Sequence, residues 1–192
     1  MRCVICNSHI IVIIIRLKRD AVSMRGDLHT LKRVCSYASV VMLIGEGAFA
    51  ILVASMLAMG GLALSDKGFR QTFTDLIWCR DDDVSIIAGS LEMCLIFIAM
   101  FITVMVIHDI MVSIQNEHSP FMEQTPDRLK LVCTTFILCA SPLMGLEYLC
   151  REDFVLALCM ALLCILISVV MYCLTIIFRY GYILQDESDR TL

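Results

Sequence analysis

Four stretches of this chain are apolar for longer than a soluble helix or strand requires: about residues 34–64, 84–107, 129–149 and 154–178. A helix that crosses a bilayer needs roughly 17–25 such residues, because the hydrocarbon core is about 30 Å thick. Inside lipid every backbone N–H and C=O must find an internal partner, so each run is expected to be one continuous helix. The chain therefore reads as an all-α integral membrane protein, a four-helix bundle with short loops. Only 18% of its residues are charged, against about a quarter in soluble domains. No segment outside the runs approaches the ~50 residues that an independent core takes. Function is expected within the bundle or on the short segments that flank it.

Cations are distributed unevenly around the runs. Arg2, Arg16, Lys18, Arg19, Arg25, Lys32 and Arg33 precede the first run, Arg128 and Lys130 follow the second, and Arg179 and Arg190 follow the fourth. That makes eleven on one side, against Lys67, Arg70, Arg80 and Arg151 on the other. Cytoplasmic loops are the ones enriched in Lys and Arg. Both termini and residues 108–128 are thus expected in the cytoplasm, with 65–83 and 151–153 outside.

Residues 1–33 form a basic N-terminal segment ahead of the membrane domain, 34–192. Its apolar run, HIIVIIIRL, is too short to span and is closed by Arg16, Lys18 and Arg19. The charges before Ala21-Val22-Ser23 speak against a cleaved signal peptide. Two readings stand: residues 1–23 are a dispensable extension ahead of Met24, or the segment is an amphipathic surface helix.

The eleven cysteines do not spell a disulfide framework. Cys94, Cys133, Cys139, Cys159, Cys164 and Cys173 fall inside apolar runs, where cysteine behaves as a small hydrophobe. Cys79 and Cys150 lie near the outer face, where one bridge is conceivable. Cys3, Cys6 and His9 have zinc-like spacing, but structural zinc takes four ligands and no second pair follows. Neither a metal nor another cofactor is expected.

Within the spans, Ala50, Ala54 and Ala58 recur every four residues before Gly60-Gly61. Small residues so spaced let helices approach closely in lipid, inside the bundle or between protomers of a homo-oligomer. Glu46 and Glu92 are the candidate intramembrane polar site. Glu46 is thirteen residues past Arg33, about 20 Å at 1.5 Å per residue, and Glu92 nine residues past Asp83, about 13 Å. In a core of ~30 Å these depths are similar, so the two acids are expected near each other, with at least one protonated. Glu147, two residues from the end of its run, is expected at the interface. Pro142 is expected to kink the third span or to be absorbed by its neighbours.

Between the second and third runs, residues 108–128 form a polar elbow. Thr125-Pro126-Asp127 has the order of a helix start: a hydroxyl N-cap, a proline at the first helical position, and an acid in the first turn. The second helix is expected to continue past His108-Asp109 to the turn at Ser119-Pro120-Phe121. The elbow, with Pro120-Phe121 before Arg128-Leu129, resembles that of a bacterial membrane family known as domain of unknown function 2975. The tail, 179–192, is similar too: Phe178, Tyr180 and Gly181, then Leu184, Gln185, Glu187 and Asp189. The resemblance covers about residues 34–192, and the tail is its most specific part. Asn116-Glu117-His118-Ser119 departs from the basic residue and glycine often found there. The resemblance implies four spans in the bacterial inner (cytoplasmic) membrane and a small helix-turn-helix regulator as partner.

The short flanking segments contain no nucleophile–base pair, no phosphate-cradling glycine loop and no complete metal set, so an enzyme is not expected. His108, His118 and Asp109 read as solvated helix-end residues. Nucleic acid is not expected as a direct partner. Two classes remain. The first is a signalling or regulatory membrane protein whose elbow and tail hold a small cytosolic regulator through Pro120, Phe121, Arg128 and the tail residues named above. The second is a small transporter or channel subunit using Glu46 and Glu92.

Overall fold

The structure, a computed structural model, describes the backbone of residues 3–117 and 124–191, with side chains from Lys32 onward except those of Glu117 and Asp189. Among these residues there are five helices and no strand: α1 (Cys3–Ser65), α2 (Lys67–Ile77), α3 (Asp83–Glu117), α4 (Gln124–Arg151) and α5 (Phe154–Thr191). Four of them carry segments long and apolar enough to cross a membrane: Lys32–Ser65, Asp83–Asn116, Gln124–Arg151 and Phe154–Ser188. The chain is thus a membrane-embedded, multi-pass helical protein.

The connections are short because each has a local stop signal. Asp66 ends α1 and starts α2, its Oδ1 accepting from the Gly68 amide at 2.9 Å. Trp78 closes α2 in the left-handed region, φ 55°. Asp82 then accepts the Ser85 amide at 3.1 Å ahead of α3, and Asp153 accepts those of Val155 and Leu156 at 2.9 and 3.2 Å ahead of α5. Each acid satisfies amides that a helix start leaves orphaned. Helix α2 has no counterpart among the four apolar runs; it buries Phe73, Thr74 and Ile77 and exposes Lys67, Gln71, Thr72, Asp75 and Leu76. Helix α4 begins at Gln124, slightly earlier than Thr125-Pro126-Asp127 suggests, and passes through Pro142 without a break.

The helices pack serially and antiparallel: α1 on α3, α3 on α4 and α4 on α5, with α2 against α1. Three contacts show the α1–α3 register. Glu46 meets His108, the Cys94 thiol meets the Val53 carbonyl, and Gly60 meets Ser90. On the far side, Cys133 meets Ser168 between α4 and α5. This alternation leaves the start of α4 and the ends of α3 and α5 together at one end of the molecule (the elbow end). Helix α2 lies at the other. One core joins α3, α4 and α5 around Val106, Val132 and Phe136, and a second joins α1, α2 and α3 around Met56, Phe73 and Ile86.

Of the two places expected for the small residues of α1, the inside of the chain's own bundle is not the one that Ala50, Ala54 and Ala58 occupy. The packing face of α1 includes Val53, Met56, Gly60 and Ala63, whereas Ala50, Ala54 and Ala58 are exposed. The small-residue stripe therefore points away from the chain's own helices, since its fixed four-residue spacing drifts off the face that α3 covers. Helix α1 also runs through residue 33 without interruption.

Candidate functional site

The two most deeply buried acids of the described residues meet near the α2 end. Glu147 and Arg151 are one turn apart on α4, and the guanidinium folds back so that its Nη1 donates to Glu147 Oε1. The same nitrogen lies 3.9 Å from Glu92 Oε1 on α3. Arg151 Nη2 donates to the Ile77 carbonyl at 3.0 Å and Nε to the Trp78 carbonyl at 3.1 Å. Those carbonyls end α2, where the helix dipole favours a cation. One side chain thus joins three helices.

Glu92 is 2% exposed and Glu147 is fully buried. The second carboxyl oxygen of each, Oε2, has no hydrogen-bond partner among the described residues. Buried polar atoms are rarely left so, because desolvation without a replacement bond costs about 1–3 kcal/mol. Two acids share one guanidinium here. Beside them Cys79 and Cys150 lie close together near Gly89, both as free thiols, and burial pushes the Cys79 thiol above its ordinary pKa. Gly89 makes the approach feasible: a Cβ there would lie 2.7 Å from Ile77 Cδ1 and 3.0 Å from Cys150 Sγ.

The expected Glu46–Glu92 pair does not form. Glu46 Oε1 sits 2.7 Å from His108 Nδ1, and His108 is sixteen residues, about 24 Å of helix, from Glu92 on α3. The first apolar run is longer than a bilayer needs, so depth counted from Arg33 places Glu46 too far in. The register with α3 sets it level with the end of the second run instead. Glu147, one turn from the end of α4, is buried against the neighbouring helices, and Arg151, although at a helix end, reaches back to the acids. The Glu147–Arg151 spacing of four residues is the sequence signal that foretells this contact. His108 is partnered by Glu46, and Asp109 by Arg128 at 3.1 Å, so neither is a merely solvated helix-end residue.

The residues expected to dock a partner have different fates. Arg128 is engaged by Asp109 and by Gln124 Oε1 at 3.4 Å. Phe178 packs against the α3–α4–α5 core. Tyr180 and Leu184 are each 65% exposed and Ile183 42%. Glu187 is exposed, and Gly181 and Gln185 are half-buried. Pro120, Phe121 and His118 lie outside the described residues, as do the side chains of Asp189, Cys3, Cys6 and His9. Helix α5, at 38 residues, is about 57 Å long at 1.5 Å per residue. It is longer than a ~30 Å hydrocarbon core needs, and the candidate span Phe154–Ser188 includes this exposed stripe.

At the α2 end, Arg70 bridges Asp81 and Asp83, both at 2.6 Å, and hydrogen bonding to Asp83 holds its pKa above the usual value. The Ser85 hydrogen bond holds Asp82 below the usual carboxylate range. Among the described residues, no group of three or more His, Cys, Asp or Glu side chains is arranged to hold a metal. No protein-family model, curated protein or solved structure matches this chain, so the geometry alone carries the functional reading.

Proposed function

We propose that this is a non-enzymatic regulatory protein of a bacterial inner membrane, with both termini in the cytoplasm, that holds a small helix-turn-helix regulator on its elbow and tail. The observation that carries this reading is the exposed apolar face near the end of α5, which this reading sets beyond the membrane. Tyr180, Ile183 and Leu184 follow one another at helical spacing, and all three are exposed. An exposed apolar stripe near the end of a long helix suits a helix-in-groove partner. Asp186 and Glu187 lie beside it, so the preferred partner is basic, as DNA-binding domains are. The excess of Lys and Arg at the elbow end supports the cytoplasmic assignment, and the resemblance of tail and elbow to domain of unknown function 2975 supports the partner class.

The test uses the purified full chain in detergent and the purified helix-turn-helix regulator encoded nearest to its gene. Capture by the native chain, lost on truncation after Arg179 and weakened at least tenfold by Tyr180→Ala with Leu184→Ala, supports the reading. Equal capture by all three at unchanged helicity, or no capture by the native chain, refutes it.

A second reading, a small transporter or channel subunit, is favoured by the unpartnered oxygens of Glu92 and Glu147. Intramembrane acids commonly line ion or proton paths. In that reading the working pair is Glu92 with Glu147, and Glu46 belongs to a separate contact at the elbow end. Reconstituted vesicles distinguish the two: ion or proton flux abolished by Glu92→Gln supports a transporter, and its absence supports the regulator.

A further inference from the structure

We infer that the groove between the start of α4 and the end of the α5 span binds the headgroup of an anionic phospholipid. The groove has a volume of about 570 Å³ and is bounded by Asp127 and Lys130 from α4 and by Tyr172, Arg179 and Tyr182 from α5. Counted about 20 residues from the α2 end, both helices leave the hydrocarbon core at this level, α4 near Lys130 and α5 between Tyr172 and Arg179. The groove therefore lies where phosphates of the bilayer lie.

Its chemistry matches a phosphodiester. Lys130 and Arg179 come from different helices and converge on one cavity, and neither forms an ion pair among the described residues, nor do the hydroxyls of Tyr172 and Tyr182 have a partner. Four donors are thus present without acceptors. The start of α4 adds the positive end of its dipole. Asp127 opposes an anion, leaving two positive charges against one negative. Ile176, on the membrane side of Arg179, lines the same groove and gives the acyl chains an apolar wall. Basic pockets between membrane helices at this depth are recognised headgroup sites. The inference needs only a membrane-spanning chain, and it stands or falls separately from regulator docking.

The measurement is native mass spectrometry of the full chain in detergent, titrated with phosphatidylglycerol or with phosphatidylcholine of the same acyl chains. The native chain retains phosphatidylglycerol in preference. Replacing both cations, Lys130→Gln with Arg179→Gln, weakens that binding about thirty-fold, from ~1 kcal/mol per basic residue near an anionic surface. Asp127→Asn strengthens it, and Lys67→Gln at the opposite end leaves it unchanged. Inorganic phosphate at equal concentration does not displace the lipid. Equal retention of phosphatidylcholine, displacement by phosphate, or phosphatidylglycerol binding within threefold of native in the double variant overturns the site. Weakened binding in Asp127→Asn also overturns it, and that variant keeps the test decisive if the double variant misfolds.

Discussion

Replacing Arg151 with Met removes the one cation that touches both buried acids while keeping a long apolar side chain. Two carboxyls, 2% and 0% exposed, are then left with no positive partner. Breaking a buried ion pair from one side costs about 3–5 kcal/mol. The Arg151 side chain is 22% exposed, so water reaches part of the site and the lower half of that range applies, about 3 kcal/mol. The Ile77 carbonyl also loses its side-chain donor, worth about 1 kcal/mol. The Trp78 carbonyl belongs to a residue 80% exposed and finds water instead. The expected loss is therefore about 3–4 kcal/mol. Glu92→Gln behaves oppositely: it removes one of two acids competing for a single guanidinium, and its cost stays within about 1 kcal/mol. Removing charge from both partners of the closest pair, Glu147→Gln with Arg151→Met, costs less than Arg151→Met alone. Denaturant unfolding in detergent micelles reads all three. Far-UV circular dichroism follows the helices, and Trp78, the chain's one tryptophan, reports the α2 contact by fluorescence. If Glu92→Gln proves as damaging as Arg151→Met, or the double variant is the worst of the three, the surplus-acid account is wrong.

Gly60→Ala costs about 1–3 kcal/mol by overpacking, since its Cβ would press on Ser90 Oγ and lie 2.9 Å from Ser90 Cβ. Gly61→Ala meets nothing within 4 Å and raises stability by up to about 1 kcal/mol through helix propensity; thermal unfolding of the two variants in the same detergent compares them. Cys79, as the sole remaining cysteine beside Cys150→Ser, alkylates slowly at neutral pH, because its raised pKa keeps the unreactive thiol form. Its rate climbs with pH beyond the ordinary thiol range, and a rate matching a free thiol at pH 7 contradicts the burial. A cysteine introduced at Ser188 on a cysteine-depleted background is shielded from impermeant maleimide in intact cells and labels after lysis; labelling from outside reverses the proposed topology.

Much of the secondary structure was legible in the residues alone. A bilayer-length apolar run has no alternative to a helix, because lipid offers backbone groups no other partner, and the four runs are four helices. The continuation of α3 past His108 and of α5 past Phe178 followed from chains with no stop signal there. Helix α2 escaped notice because eleven residues of mixed polarity become a helix by packing Phe73 and Ile77 on α1 and α3. Residue chemistry also picked out the costly side chains, Glu46 and Glu92. What it left open was which group each one meets. A run of about 31 apolar residues can slide by several turns in a core that holds about 20, so counting from its ends cannot set depth. Only the antiparallel register of α1 on α3 assigns His108 to Glu46. Only the packing of α4 on α3 brings Glu147 and Arg151 to Glu92, since side chains one turn apart in sequence acquire a distant partner through the helix laid against them.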